Sequence, residues 1–147
     1  MSCNGLFLSR VMCLAKFPSE EWAKVYMEQL NANKNYEEAA KTWEGDFLFV
    51  IQPDAELKEP STIWMDLWHG KCRGTELVKP GEEKKAAFVY SGPYGNWKKL
   101  INKQIDPIQG LLTGKFKLQG DMGKVLRAVR AAKELVETAS KVPTEFA

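Results

Sequence analysis

The chain has 147 residues, 44% of them hydrophobic and 11% aromatic, which is one domain's length with enough apolar mass to build a core and still line a cavity. Twenty-one basic residues against nineteen acidic ones leave a net charge of +2, too near balance for a dedicated nucleic-acid surface, so no nucleic-acid partner is expected. Cys3, Cys13 and Cys72, with His69 as the one histidine and no Cys-x-x-Cys pair, argue against a zinc site or disulfide framework; free thiols suit a reducing, cytoplasmic location.

Gly5–Ala15 is mildly apolar, but Arg10 interrupts it, it lacks a basic start, and it is far too short to span a bilayer. Residues 1–18 read as an N-terminal extension ahead of a single domain, 19–147, that begins with a helical pair. Ser19 is a plausible N-cap, and Glu20 and Glu21 place negative charge at the positive end of the helix that follows. Trp22, Val25, Tyr26 and Leu30 recur at helical spacing and carry that helix to about Asn31. After a turn over residues 31–35, Tyr36, Ala39, Ala40 and Trp43 mark a second short helix ending near Gly45.

Phe47–Ile51 is a continuous apolar run, as a central strand covered on both faces needs. Ile63, Met65 and Leu67 alternate with Trp64, Asp66 and Trp68, so one face of this strand meets core. Lys71–Lys79 is a weaker strand closed by Pro80-Gly81, and Ala86–Ser91 is the next, with Phe88 and Tyr90 on one face. The short spacings imply antiparallel hairpins. Pro93 begins a helix in which Trp97, Leu100 and Ile101 share a face.

Ile105–Leu126 is the most informative stretch. Asp106 suits an N-cap and Pro107 the position after it. Ile108, Leu111 and Leu112 give that helix an apolar side, and Gly114 stops it. Phe116 and Leu118 alternate with Lys115, Lys117 and Gln119 as a half-buried strand, and Gly120-Asp121 turns the chain into a long C-terminal helix. In that helix Val125, Leu126, Val129, Ala132, Leu135 and Val136 form an apolar stripe, while Lys124, Arg127, Arg130 and Lys133 fan over the outer half. Arg130 with Glu134 and Lys133 with Glu137 are spaced to pair across one turn.

Catalytic candidates are few. His69 is the conventional general base, but Cys72 three residues on faces the other way in an extended chain. Asp46 reads as a capping or turn residue, and Asp66, on a face with Trp64 and Trp68, as an acceptor for an indole N–H. The glycines of Gly114–Gly123 lack Gly-Lys-Ser/Thr and carry Asp121 where an anion would sit, so no phosphate loop is assigned.

The stretch GKFKLQGDMG resembles the signature of the sterol carrier protein 2 (SCP-2) family of lipid-binding domains. The strand at Gly45–Gln52, the Trp-containing strand Ile63–Gly70 and the Trp-bearing helix before Asp106-Pro107 extend the resemblance over roughly residues 43–138. It implies an α/β fold of the α+β kind: a five-stranded, largely antiparallel sheet covered on one side by helices, with a hydrophobic tunnel between them. It also implies non-enzymatic carriage of a lipid (a fatty acid, fatty acyl-CoA, phospholipid or sterol-like molecule) without a cofactor or metal. The helical wall of the tunnel would be Trp97, Leu100, Ile101, Ile105, Ile108, Leu111 and Leu112. Phe47, Phe49, Met65, Phe88, Phe116, Leu118 and Met122 would form its sheet side and base, with Phe47–Ile51 open by one register. The ending Pro143–Ala147 lacks the Ser-Lys-Leu-like address of animal members and the two helices before Gly45 depart from the family's usual N-terminal helix, which together point to a stand-alone, prokaryotic-type cytosolic member for which sterol itself is not the expected ligand. Two rivals stay open: an accessory or oligomerisation module with a filled core, marked by a bare Trp64–Trp68 patch, and a small acyl-ester hydrolase using His69, Asp66 or Cys72. Transient membrane contact through the basic fan and homodimer formation are left open by the sequence.

Overall fold

A computed structural model describes residues 14–146; Cys3, Cys13 and nearly all of the Gly5–Ala15 segment lie outside them. Strand β1 (Ala15–Phe17) is followed by α1 (Glu20–Ala32), whose start is fixed by the Ser19 hydroxyl accepting the Trp22 N–H at 3.0 Å. Asn33 ends α1 and at once caps α2 (Lys34–Ala39), its side-chain oxygen accepting the N–H groups of Asn35 and Tyr36. This second helix is shorter than its apolar spacing suggests: Trp43 lies beyond it, tied down by its indole N–H donating to the Gly45 carbonyl at 2.9 Å.

The main sheet comprises β2 (Phe47–Gln52), β3 (Ser61–Trp68), β4 (Lys71–Val78), β5 (Phe88–Pro93) and β6 (Lys117–Gln119), in the order β4-β3-β2-β5-β6. Phe47–Ile51 is thus central, as its unbroken apolar run implies. The sheet is largely antiparallel, as expected, with one parallel pair in it: β2 and β5, Phe47 beside Phe88 and Phe49 beside Tyr90. The β3–β4 hairpin between them in sequence sits on the other side of β2, so β5 crosses over to complete the sheet. His69 and Gly70 make the tight β3–β4 turn with φ of 49° and 80°. A side chain at position 70 would meet the Glu37 carbonyl oxygen at 2.6 Å, so the turn packs directly on α2.

Helix α3 (Tyr94–Ile101) follows β5 directly. The Asp106 carboxylate then accepts the Ile108 and Gln109 N–H groups, both at 3.0 Å, to open α4 (Pro107–Leu112). Asp121 caps the next helix through the Lys124 N–H at 3.1 Å. That helix is not the single long one expected: α5 (Met122–Arg127) ends at Ala128, where φ −106° and ψ 38° leave the helical range, and α6 (Val129–Lys141) starts anew. The break lets α5 bury Val125 while α6 independently buries Ala131, Thr138 and Ala139. Nor do the expected one-turn ion pairs form on α6. Glu137 pairs with Lys103 at 3.0 Å, and Glu134 accepts from the Asn33 side-chain amide at 3.1 Å, because both carboxylates face neighbouring elements.

Strand β7 (Thr144–Phe146) pairs in parallel with β1. Phe17, only 1% exposed, packs edge-on against Trp22 and Phe146. Ala15 and Phe17, which lie in the stretch expected to be an N-terminal extension, are therefore part of the core, on a strand paired with Thr144–Phe146, while Lys16 between them is exposed. At the other end of α1, the Asn31 amide makes paired hydrogen bonds to the backbone of Cys72 at 2.9 and 2.7 Å, clamping the helix across β4. Among the described residues no helix is long and apolar enough to cross a membrane.

Candidate functional site

Strand periodicity puts Phe47, Phe49 and Ile51 of β2, Ile63 of β3 and Tyr90 of β5 on the face that meets the helices. Between that face and the helices is an apolar cavity of about 90 Å³. Its helical walls come from Trp22 and Tyr26 of α1, Trp97, Leu100 and Ile101 of α3, and Pro107, Ile108 and Leu111 of α4. Val125 of α5, Ala132, Leu135, Val136 and Ala139 of α6 and Phe17 of β1 also line it.

The polar atoms carried by these aromatic walls are turned away from the space. Trp22 Nε1 donates to Thr144 Oγ1 at 2.9 Å and Trp97 Nε1 to the Val50 carbonyl at 3.0 Å. The hydroxyl of Tyr26 donates to the Leu135 carbonyl at 2.8 Å, and that of Tyr90 to the Pro107 carbonyl at 3.0 Å. Burial holds both phenols well above their ordinary pKa, so they stay neutral. A molecule in this cavity meets hydrocarbon and ring faces, with each indole and phenol already satisfied by the protein.

Of the residues expected at the site, Phe47, Phe49, Trp97, Leu100, Ile101, Ile108 and Leu111 line the cavity. The others do not. Phe116 fills a slot between Gly92 and Gly110, where side chains would lie 2.5 and 2.9 Å from its ring. Met65 and Phe88 are on the correct sheet face but are packed over, Met65 with its sulfur 3.1 Å from Thr75 Oγ1 and Phe88 within a ring stack. Ile105 is buried outside the cavity, Leu118 lies on the edge strand, and Met122 is exposed. Leu112 is 64% exposed, because the six-residue α4 turns it outward. The residues not anticipated at the cavity, Trp22, Tyr26, Val125, Ala132, Leu135 and Val136, had been legible only as buried helical stripes; Phe17, Ile51, Ile63, Tyr90, Pro107 and Ala139 complete the lining.

The candidate catalytic groups are each engaged separately. His69 Nε2 lies 2.6 Å from Glu44 Oε2, and its ring stacks on Trp68. The Cys72 sulfur donates to the Gly74 carbonyl at 3.2 Å, and burial pushes its thiol up to about 11. Asp66 forms a two-pronged pair with Arg73 at 3.0 and 3.1 Å; the indole N–H of Trp64 goes to Asp46 instead, at 2.8 Å. Among the described residues no cluster of three or more metal-ligating side chains occurs.

The family model described as the SCP-2 sterol transfer family matches residues 26–133. The chain belongs to that family. A crystal structure of sterol carrier protein 2 superposes on this SCP-2 domain with a TM-score of 0.75 at 33% identity, covering 84% of this chain and 97% of the other. The solution structure of a conserved hypothetical protein from Thermus thermophilus gives 0.77 at 32%, covering 86% and 90%. The apo sterol carrier protein 2 of Yarrowia lipolytica, at 16% identity and a TM-score of 0.57, agrees in fold. Among curated proteins, hydroxysteroid dehydrogenase-like protein 2 of Xenopus tropicalis is 33% identical over 91 residues, 62% of this chain. The chain spans only 20% of that protein's length.

On the opposite sheet face of this SCP-2 domain, the two tryptophans are not a bare patch. The Lys84 ammonium sits 4.1 Å from the Trp64 ring centroid and the Arg73 guanidinium 4.6 Å from that of Trp68. Each cation is itself paired, Lys84 with Glu76 and Arg73 with Asp66.

Proposed function

We propose that this SCP-2 family domain binds and carries a lipid, taking its hydrocarbon chain into the cavity between the sheet and helices α1, α3, α4 and α6, without chemical conversion. The observation that carries this reading is a cavity walled by ring faces and aliphatic groups, in which the tryptophan and tyrosine polar atoms are spent on the protein itself. Such a site selects by shape and apolar area. A buried methylene gains about 0.8 kcal/mol, so eight of them supply about 6 kcal/mol before the costs of ordering and association. The ligand class on this reading is a fatty acid or a larger lipid bearing an acyl chain, with acyl-CoA, phospholipid and sterol-like molecules as competitors, and the cavity widens into a tunnel when occupied. Exchange would take place in the cytoplasm by transient contact with a membrane.

The test is calorimetric titration with a long-chain fatty acid at several temperatures. Saturable one-to-one binding with a negative heat-capacity change supports burial of the chain. Binding that is absent, or that persists undiminished when Leu111 and Val136 are both replaced by serine, overturns the assignment of this cavity.

A further inference from the structure

A second apolar cavity of about 30 Å³ adjoins the first, bounded at its far side by Tyr36, Trp43 and Leu67. Four side chains, Phe47, Val125, Ala132 and Leu135, line both. The boundary between the two spaces is therefore one ring from the central strand and three aliphatic side chains from α5 and α6. Ala132 offers a single methyl group to that wall, and Phe47 is its largest member. We propose that Phe47 sets the length of hydrocarbon chain the domain accepts, by closing the central cavity against a second apolar compartment that a longer chain would enter. This rests on the lipid-carrier reading above.

Phe47 is held as a fixed wall. Its ring stacks on Phe88 at 5.0 Å, on Phe49 at 5.3 Å and on Trp43 at 5.8 Å, with interplanar angles of 19°, 18° and 23°. Its backbone belongs to a strand paired on both edges, with Met65 and Phe88 as neighbours. Swinging the ring aside would give up all three stacks, and the strand cannot shift without breaking two ladders. Trp43 lines the far compartment, and its ring has the Lys124 ammonium 4.9 Å from its centroid. A chain entering the central cavity gains contact with each added methylene until its end meets Phe47. Further methylenes then have no apolar space to occupy.

The experiment is a series of dissociation constants for saturated fatty acids from octanoate to octadecanoate in two-carbon steps, measured on the parent and on Phe47→Ala, Phe47→Leu and Phe88→Leu. Phe88 belongs to the same ring stack but lines neither cavity, so its replacement controls for loosening of the stack. For the parent, affinity should rise about fourfold per added methylene and then level off. In the Phe47 variants the plateau should move to chains longer by about two to four methylenes at the same increment, while Phe88→Leu leaves it in place. Should the alanine variant fail to fold, the leucine variant carries the comparison. Phe47 variants that bind fatty acids with the parent's plateau, or a Phe88→Leu shift as large as theirs, would overturn the role of Phe47 alone. A parent that binds no member of the series would remove the lipid-carrier reading and this inference with it.

Discussion

Asn33 joins two helices, α2 and α6, with one side chain, which makes Asn33→Ala an informative perturbation. Its oxygen caps α2 by accepting the N–H groups of Asn35 and Tyr36 at 2.9 and 3.1 Å. Its amide donates across to α6, to Thr138 Oγ1 at 2.8 Å and Glu134 Oε1 at 3.1 Å. Loss of the cap costs about 1 kcal/mol. The bond to Thr138 counts fully, because that residue is only 1% exposed; its hydroxyl keeps one partner, the Glu134 carbonyl at 2.8 Å, so the loss is about 1 kcal/mol and not a complete desolvation penalty. With a few tenths for the solvated Glu134 contact, Asn33→Ala should destabilise the domain by about 2 to 3 kcal/mol, or about 10 °C in Tm for a chain of this size. Asn33→Asp separates the two roles. It preserves the cap but replaces the amide donor with a carboxylate facing Glu134, so it should lose about as much as the cross-bonds were worth and recover part of the loss at low pH. Urea denaturation of the three proteins decides the matter. An Asn33→Ala variant within about 0.5 kcal/mol of the parent, or Asn33→Asp as stable as the parent at neutral pH, would refute the claim that this amide ties α2 to α6.

Leu112→Ser should cost less than about 0.5 kcal/mol and leave fatty-acid affinity unchanged, whereas Leu111→Ala next to it should cost about 2 to 5 kcal/mol and weaken binding; chemical denaturation and calorimetry compare the two. The Cys72 thiol is raised from 9.0 to about 11 in the folded state. Its contribution is therefore fully present below the unfolded pKa and lost as pH rises through about 11, with the folded state holding the extra proton between those values. Burial raises the phenols of Tyr26, Tyr36 and Tyr90 in the same direction. Stability should thus fall steadily above pH 9, and Cys72→Ala should flatten the early part of that fall in denaturation curves taken from pH 8 to 11. Trp64→Phe removes the indole donor to Asp46, which keeps the Ala87 N–H at 2.8 Å; a loss of about 1 kcal/mol with unaltered lipid uptake is expected.

Features set by local chemistry were legible in the sequence. Ser19, Asp106 and Asp121 cap helices where they were expected to, since a short polar acceptor before an apolar periodic run has few other uses. Ile63, Met65 and Leu67 are buried as their alternation implies. What escaped is set by partners distant in the chain. Nothing near Ala128, neither glycine nor proline, marks the break between α5 and α6; packing against two different surfaces imposes it. The β1–β7 pair joins two three-residue strands from opposite ends of the chain, too short to carry a periodicity. The cavity was half legible for the same reason. Phe47, Phe49 and Trp97 were identified as apolar residues of facing elements, but only the glycines at 92 and 110 show that Phe116 is swallowed by a slot of its own. Trp22 and Leu135 were readable as buried, and no sequence signal says which buried residues enclose a space and which fill one.

The central claim is that the cavity between sheet and helices holds a lipid. Native mass spectrometry of the purified protein, followed by organic extraction and identification of what is released, tests it most directly. The account predicts a one-to-one adduct of lipid mass, either carried through purification or taken up from a mixed fatty-acid and phospholipid panel, that is lost when Leu111 and Val136 are both replaced by serine. A clean apo mass that acquires nothing from that panel would contradict it.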